Sequence, residues 1–374
     1  MKLKDICNIN SGKSIKACFI GDKDINHNIP CYGGNGLRGF VSTPNQIGGN
    51  PIIGRVGAQC GNIHYCDEPF YATEHALVVT LKDDNVNPQW LCHKLESMKL
   101  GTYAEGAAQP VIAASKLLQL KINIPPFPEQ QSIVDYIDAA FAKIDAMKTN
   151  AEKSFNEAKA LFQASLKEML EPKKGWEYST IGDLCDKKNG LWKGKIGPFV
   201  NVGVIRNANF TKALTLSFDN IEYLDVEAKQ YKTRKLQKGD LIVEKSGGSE
   251  KQPVGRTVLF DKEDGEYSFS NFTSVLRIKN RSVITPEFLY KYILFVYLRG
   301  DTRKMQKATT GIHNLEFDKF LSIPVPKLSL SEQQSIVAAL DSLKSKVDRL
   351  QANFDKIAQE CDALKQAILK QVFE

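Results

Sequence analysis

Residues 129–134 read EQQSIV, and residues 332–337 repeat the same six letters. Each copy opens a long run of mostly helix-forming residues. The copies lie 203 positions apart (332 − 129 = 203), and this register holds without a gap through Glu157, which matches Glu360, to the last turns, where Leu166 matches Leu369. The chain is therefore a tandem duplication, and the duplicated helix is the element around which it is organised.

The second helix carries apolar residues at alternating steps of four and three, the spacing of a coiled-coil seam. These positions are Ile336, Leu340, Leu343, Val347, Leu350, Phe354, Ile357, Cys361, Leu364 and Ile368. The matching positions of the first helix are mostly smaller: Ile133, Ile137, Ala140, Ile144, Met147, Ala151, Ser154, Ala158, Leu161 and Ser165. A bulky seam against a small one buries more apolar surface than either seam against itself, so we predict that the helices pair within one chain.

The residues assigned to this pairing are Ile137, Ile144 and Leu161 in the first helix and Leu340, Leu343, Val347, Leu350, Phe354, Ile357, Leu364 and Ile368 in the second. The alternative is two separate amphipathic helices, each covering its own domain.

Both helices have recognisable start signals. Ser329 and Glu332 have the spacing of a capping box, in which each side chain satisfies an amide donor of the other residue. Prolines precede or open the first helix, where a missing amide hydrogen costs nothing. At 1.5 Å per residue, helices of this length would be rods of roughly 60 Å, long enough to act as spacers.

The duplication extends to the globular parts, because LKDIC at 3–7 is echoed by IGDLC at 181–185. The sequence therefore predicts a globular domain at 1–127, a long helix at 128–170, a second globular domain at 171–330 and a second long helix at 331–374. Strands are predicted at 76–81, 117–122, 199–202, 240–244 and 273–278, and shorter helices at 88–98 and 286–298. The expected fold class is α+β with mostly antiparallel strands.

Bulk properties are those of a globular protein. The 374 residues suffice for two or three domains, and 42% are hydrophobic and 25% charged. The first residues lack the apolar stretch of a signal peptide, and the longest apolar run, 288–298, is too short to span a bilayer. Eight cysteines without a CxxC pair favour reduced thiols, so we expect a cytoplasmic protein. The net charge of +7 is consistent with a polyanionic partner.

A metal site is weighed at Cys60, His64 and Cys66, to which Cys31 or His75 would add a fourth ligand. This spacing matches no common zinc motif, and free cysteines are mostly small buried hydrophobic residues, so no metal is expected.

A catalytic centre is not indicated either. IPPF at 124–127 resembles the tetrapeptide of amino-methylating enzymes, but isoleucine stands where a hydrogen-bond acceptor is needed. A glycine-rich turn with the acidic residue that would bind S-adenosylmethionine is not found, so we expect a chain that is not an enzyme and binds no cofactor itself.

Polar loops in both domains carry the residue types that read duplex DNA. Arginine and lysine bond guanine or phosphate, and asparagine and glutamine pair with adenine. The DNA-binding candidates of the first domain are Tyr32, Asn35, Arg38, Gln59, Asn62 and Gln109. Those of the second domain are Lys193, Lys195, Arg206, Asn207, Asn209, Lys245, Ser246, Ser249, Lys251, Gln252 and Arg256. Any one of them alone is more often an ordinary solvated loop residue, and the functional case rests on both domains carrying such loops.

A unit of globular domain, proline-rich exit and Glu-Gln-Gln helix, present twice, resembles the specificity subunit of type I restriction-modification systems. The motifs that carry the resemblance are PPFPEQQ at 125–131, SEQQ at 331–334, GRTVLF at 255–260 and SFSNFT at 268–273. The resemblance covers essentially the whole chain. One departure is Ser331, which stands where the first copy has Pro128, and it is compatible with a capped helix start.

The resemblance implies two target-recognition domains, each reading one half of a split DNA sequence, held apart by antiparallel paired helices. It also implies two modification subunits that bind S-adenosylmethionine and methylate adenine N6, and restriction subunits that need ATP and Mg²⁺. Such a pseudo-symmetric pair would read oppositely oriented half-sites, with helix length setting the unread gap between them.

Two other functions remain open. The chain could be a pseudo-dimeric coiled-coil scaffold without sequence-specific DNA recognition, or an adenine methyltransferase in its own right, against which the missing cofactor motif counts.

Overall fold

The computed structural model describes residues 1–106, 108–192, 194, 196–309 and 311–374. It divides into a first unit, Met1–Lys153 with Ala352–Glu374, and a second unit, Ser154–Gln351. Both divisions fall inside the two long helices, so the predicted domain limits at the helix ends stay predictions.

The first unit is built on two small sheets. Its strands are β1 (Cys7–Ser11), β2 (Ile29–Gly33), β3 (Gly36–Val41), β4 (Asn50–Gly54), β5 (Ile63–Cys66), β6 (Tyr71–Ala72) and β7 (Ala76–Leu81). Its helices are α1 (Leu3–Ile6), α2 (Pro88–Ser97), α3 (Ala114–Leu117) and the beginning of α4 (Phe127–Leu170). One sheet is antiparallel in the order β1-β7-β4-β5, and the other, in the order β3-β2-β6, pairs β2 with β6 in parallel.

The second unit repeats this plan and extends it. Its strands are β8 (Tyr178–Thr180), β9 (Cys185–Asn189), β10 (Phe199–Ile205), β11 (Glu222–Glu227), β12 (Leu241–Glu244), β13 (Ser246–Gly248), β14 (Thr257–Leu259), β15 (Tyr267–Phe269), β16 (Thr273–Ile278), β17 (Gln306–Thr309), β18 (Ile312–Leu315) and β19 (Pro324–Pro326). Its helices are α5 (Ile181–Leu184), α6 (Ala228–Arg234), α7 (Pro286–Arg299), α8 (Phe317–Leu321) and the first half of α9 (Leu330–Phe373).

The sheet orders of the two units correspond strand by strand. The antiparallel order β9-β16-β12-β14 matches β1-β7-β4-β5, and β11-β10-β15, with β10 and β15 parallel, matches β3-β2-β6. Further sheets of the second unit are β13-β18-β17 and β19-β8. The repeat seen in the sequence is therefore a repeat of topology, and the mixed, mainly antiparallel fold class is confirmed.

One strand prediction, at 117–122, is wrong. Leu117 ends helix α3, and the segment after it is used to cap the amino-terminal helix. The carbonyl oxygens of Leu118 and Leu120 accept hydrogen bonds from the amides of Lys4 and Leu3, at 3.0 and 2.9 Å. Those carbonyls satisfy amide donors that a helix start leaves unpaired, so this apolar segment caps α1 and does not form a strand.

The duplicated motif owes its structural role to its first glutamine. The fully buried Gln130 accepts a hydrogen bond from the amide of Asn87 (2.7 Å) and donates to the carbonyls of Asn85 (3.0 Å) and Pro125 (2.9 Å). These bonds fasten the start of α4 to the start of α2. Because buried polar groups must be paired, the buried Gln130 side chain needs these three backbone partners, and bonding to them fixes how α4 meets α2.

Gln333 makes the same junction in the second unit. It accepts from the amide of Thr285 (2.9 Å) and donates to the carbonyls of Val283 (2.8 Å) and Leu328 (2.9 Å), which joins α9 to α7. The predicted capping box is present beside it: Ser329 N donates to Glu332 Oε2 at 2.8 Å, and Glu332 N to Ser329 Oγ at 3.3 Å.

The long helices pair in antiparallel fashion, as predicted. In the first unit Lys365 Nζ lies 2.7 Å from Asp145 Oδ1, and Lys148 Nζ lies 3.5 Å from Asp362 Oδ1. Residue numbers therefore rise along α4 as they fall along α9. Ile137 and Ile144 are buried there.

In the second unit Leu340 and Val347 share a core with Phe162 and Leu166 of α4. Leu343 packs against the same core, and Leu350, Phe354, Ile357 and Ile368 are half-buried in their respective units.

Two seam positions were predicted wrongly. Leu161 is 56% exposed and Leu364 is 47% exposed. In α4 the inward-facing residues are the half-buried Ala151, Phe155 and Ala158 and the buried Phe162, at steps of four, three and four that add up to eleven instead of a strict seven-residue repeat. A straight helix has 3.6 residues per turn, so a 3.5 pattern drifts by about 20° per heptad and the next residue faces the partner instead.

Within the described part of the chain, no helix is both long enough and apolar enough to cross a membrane.

Candidate nucleic-acid interface

Four loops of the first unit converge on an open groove of about 500 Å³. They are the β2–β3 turn, the loop after β4, the turn before β7, and the segment around Gln109. We call this the first groove. Asn35, Arg38 and Gln109, three of the sequence-predicted residues, line it and are exposed. Within the described residues the Arg38 guanidinium has no hydrogen bond or ion pair, so it is available to a ligand.

Glycines allow these loops to come close together. A Cβ atom on Gly34 would lie 2.6 Å from the carbonyl oxygen of Val56, and Gly36 has a φ of 92°, which a side chain disfavours. The floor of the groove is therefore bare backbone, flanked by longer polar side chains.

His75 lines the same groove, although the sequence suggested it only as a zinc ligand. Its imidazole is about half exposed, and Nε2 lies 3.6 Å from Glu74 Oε1. Sequence reasoning missed it because it weighed His75 only as a possible fourth zinc ligand. The signal that could have found it is its place directly before a buried strand.

Gln59 and Asn62 lie apart from the first groove. Asn62 Nδ2 donates to Gln59 Oε1 at 3.2 Å, and Asn62 lines a separate cavity of about 570 Å³ together with Lys99 and Gln366. The structure therefore does not bring the six predicted residues of the first domain to one place.

Tyr32 is a packing residue, contrary to the sequence prediction. Its ring is half-buried and meets Phe70 edge to face at 5.7 Å. Burial, followed by the neighbouring Cys66, raises the pKa of its hydroxyl to about 12. A tyrosine fixed in a small core can offer little to a base edge.

The corresponding end of the second unit is a network of polar groups. Asn207 Nδ2 donates to the carbonyl of Ser246 at 2.6 Å, and Ser246 Oγ donates to Asn314 Oδ1 at 2.6 Å. The Oδ1 atom of Asn207 is buried with no partner within the described residues. Two of the DNA-binding candidates, Asn207 and Ser246, thus contact each other, and Asn314, which the sequence did not suggest, joins them.

Arg256 is not a free DNA-binding residue. It lies 9% exposed and forms a two-point ion pair with Glu244, with Nε to Oε2 at 2.8 Å and Nη2 to Oε1 at 2.9 Å. Burial lowers the pKa of the guanidinium, but the hydrogen bonds and charge of Glu244 outweigh burial and raise it. The prediction failed because an arginine in a polar-looking stretch can equally neutralise a buried carboxylate.

Asn209 was also predicted wrongly. It is 2% exposed and stabilises its own turn, accepting from the amide of Arg206 at 2.8 Å and donating to the carbonyl of Asn220 at 3.2 Å. Arg206 itself is partly exposed and pairs with Glu222.

The other predicted residues of the second unit fall into three groups. Lys245 is half-buried, and burial, with a smaller effect of the charge on Lys187, lowers its pKa. Ser249, Lys251 and Gln252 are exposed in one loop. Lys193 and Lys195 lie outside the described residues.

The two interfaces occupy equivalent places in their units. The amide of Arg55 donates to the carbonyl of His75 at 2.9 Å, and the amide of Lys245 donates to the carbonyl of Phe272 at 2.9 Å. The next residues along, Val56 and Ser246, form bridges with Val111 and Asn314. These equivalent contacts, each within its own unit, show which loop residues of the two units correspond, although their sequences differ.

Cys60, His64 and Cys66 do not assemble a site in the structure. The described residues contain no group of three or more histidine, cysteine, aspartate or glutamate side chains placed to hold a metal ion. Burial lowers the pKa of His64, which outweighs the opposite effect of Glu96, so the neutral imidazole is favoured.

Comparison with known proteins gives a consistent result. A family model described as type I restriction modification DNA specificity domain matches residues 1–153 and 173–358. The Escherichia coli type I restriction enzyme EcoprrI specificity subunit is 39% identical over 146 residues, a match that spans 39% of this chain and 35% of that relative. The putative specificity subunit S.HindORF215P of Haemophilus influenzae is 25% identical, with 92% of this chain and 86% of the relative covered.

A solved structure described as showing complex assembly and conformational transition of the type I R-M system has the same fold. It is 18% identical, with a TM-score of 0.71, and the match covers all of this chain and 97% of the other.

Proposed function

Because the chain belongs to the family of type I restriction-modification DNA specificity proteins, we propose that it recognises a two-part DNA sequence, with one half read by each unit. The observation that carries this proposal is the equivalence of the two interfaces. Two units of the same topology each place exposed polar loops at the same end, and their residues at that end differ. Equivalent frames with different side chains are what the reading of two different half-sites requires.

We further propose that the chain positions two modification subunits, which methylate adenine N6, and that restriction subunits can join the complex. S-adenosylmethionine would then be bound by the modification subunits, and ATP and Mg²⁺ by the restriction subunits. The chain itself would perform no chemistry. The absence of a recognisable cofactor motif in the sequence supports this division of labour.

The test is adenine methylation mapped at single-base resolution in cells that contain the chain with its modification subunit and in cells that lack the chain. A two-part motif with a fixed unread gap, lost with the chain, is the expected result. Unchanged methylation in the presence of an active modification subunit would contradict the proposal. Methyl transfer to duplex DNA by the purified chain alone would contradict the non-catalytic role.

A further inference from the structure

The aligned loops of the two units place unlike side chains at two equivalent positions. His75 directly precedes β7, and Phe272 directly precedes β16, the strand that corresponds to β7. Because their carbonyls accept equivalent backbone hydrogen bonds, from Arg55 and Lys245, the two positions are the same point of the fold.

The second position follows from the neighbouring segment. Val111 bridges Val56, and Asn314 bridges Ser246. The amide of Ile112 donates to the carbonyl of Arg55 (2.9 Å), as the amide of Leu315 does to that of Lys245 (2.8 Å). Counting two residues back from the bridging residues gives Gln109 in the first unit and Ile312 in the second.

The side chains at these positions, His75, Gln109, Phe272 and Ile312, are all exposed. Exposure is ordinary for a histidine and a glutamine but unusual for a large apolar pair. Phe272 is 50% exposed and Ile312 is 48% exposed, beside a network of hydrogen-bonded polar groups. In the first unit the same two positions hold a half-exposed histidine and an exposed glutamine, and both line the first groove. The two units thus share the backbone at these positions, but the side chains there are polar in the first unit and apolar in the second.

We propose that these positions form a specificity pair in each unit: His75 and Gln109 read base edges by hydrogen bonding, and Phe272 and Ile312 read the methyl group of thymine. Hydrogen-bonding side chains distinguish purines in the major groove through N7 and its neighbouring group, whereas the thymine C5-methyl is the apolar feature that a phenylalanine can contact. The inference rests on the proposed function and adds which half-site chemistry each unit selects.

The inference predicts that the half-site of the second unit contains an A·T pair, whose thymine methyl contributes to binding. It also predicts that the half-site of the first unit depends on a purine N7. The experiment uses the full chain assembled with its modification subunit, first to map the methylated motif and then to measure binding to that duplex.

Four proteins are compared: the wild type, H75A/Q109A, F272A/I312A, and the control K121A, whose exposed lysine lies outside the groove. H75A/Q109A should relax base preference in one half-site alone, and F272A/I312A in the other alone. Replacing the thymine by deoxyuridine, which removes only the methyl group, should weaken wild-type binding about three- to tenfold and leave F272A/I312A unaffected. A 7-deazapurine in the half-site of the first unit should likewise weaken wild-type binding and leave binding by H75A/Q109A unaffected.

Failure of this inference is distinguishable from failure of the proposed function. If the wild-type complex yields no two-part motif, the proposed function fails. If the motif is present but both double variants leave both half-sites unchanged, only the specificity pair is overturned. It is also overturned by a second half-site without thymine, or by equal deoxyuridine effects in the wild type and F272A/I312A. Circular dichroism of each variant, with K121A as reference, separates lost readout from lost folding.

Discussion

The two units fasten their long helices in the same way but charge the junctions differently. Each uses a buried glutamine, and eight residues further along the long helix an aspartate pairs with a basic residue on the shorter helix. In the first unit the pair is His93 with Asp138, at 2.9 Å, and in the second it is Lys291 with Asp341, at 2.5 Å. The duplication therefore preserved geometry more strictly than residue identity, and the junction of the first unit carries a histidine, the side chain whose ordinary pKa lies closest to neutral pH.

The units differ further in how they fill equivalent core positions. The residue before Arg55 is Gly54, whose Cβ would lie 2.2 Å from the carbonyl oxygen of Gly34, and the residue before Lys245 is Glu244, which is 1% exposed. The second unit must neutralise that buried carboxylate, and Arg256 does so. The first unit closes the same space with backbone and needs no such partner.

The largest effect is expected from R256M. It leaves the Glu244 carboxyl group buried without its partner, so the second unit should lose about 4 kcal/mol of unfolding free energy. Urea unfolding followed by tryptophan fluorescence and circular dichroism measures this. R38M in the first groove is the matched control and should cost less than about 0.5 kcal/mol, since Arg38 is exposed. A stable R256M protein that bound DNA poorly would instead restore Arg256 as a DNA-binding residue.

A second variant pair tests where the helix seam runs. F162A should destabilise the second unit by about 3 kcal/mol, because the Phe162 ring is 7% exposed within its core. The adjacent L161A should change stability by less than about 0.5 kcal/mol, because Leu161 is 56% exposed. Equal losses in denaturant unfolding would favour the strict seven-residue repeat over the observed drift.

The glutamine junctions come next. Gln130 and Gln333 each satisfy three backbone groups, so Q130M and Q333M, which conserve shape, should each cost about 2 kcal/mol. Q334M, at an exposed position of the same motif, is the control. Hydrogen exchange at the amides of Asn87 and Thr285 should accelerate only in the corresponding variant. Protection that persists in both would show that the junctions do not depend on glutamine.

The smallest expected effect is a pH dependence of stability, which should come from the His93–Asp138 pair of the first unit and be absent from the Lys291–Asp341 pair of the second. Burial lowers the pKa of His93, but hydrogen bonds and charge from Glu96 and Asp138 outweigh it and raise the pKa in the folded state. A raised folded pKa means that the stabilisation is complete below the unfolded pKa of about 6.5 and is lost as pH rises through the folded value. Because Asp138 is half exposed, the effect should stay below about 1 kcal/mol.

Stability measured between pH 5 and 8 should therefore fall with rising pH in the wild type. The fall should be smaller in H93K, which copies the second unit, and in D138N. A pH profile identical in all three proteins would assign the dependence to other groups.

Local signals in the sequence were reliable where one short stretch decided the outcome. The strand at 76–81, the strand at 273–278 and the capping box of Ser329 are confirmed because alternation, β-branched residues and cap chemistry act within a few residues. The functional loops were harder: Asn35, Arg38 and Gln109 meet at the first groove, whereas Tyr32, Asn209 and Arg256 are held by their own units. A polar residue type does not reveal whether its partner will be solvent, a ligand or a buried carboxylate.

The sequence by itself determined the duplication, the two long helices and their pairing within one chain, because periodicity and exact repetition are properties of the linear chain. The resemblance carried by its motifs added the family and the antiparallel direction of the pair. Only the tertiary structure decided that Gln130 and Gln333 are junction residues, that the seam moves from Leu161 to Phe162, and that His75 corresponds to Phe272. Those facts depend on which backbone groups meet across long sequence separations, and residue spacing alone does not specify such contacts.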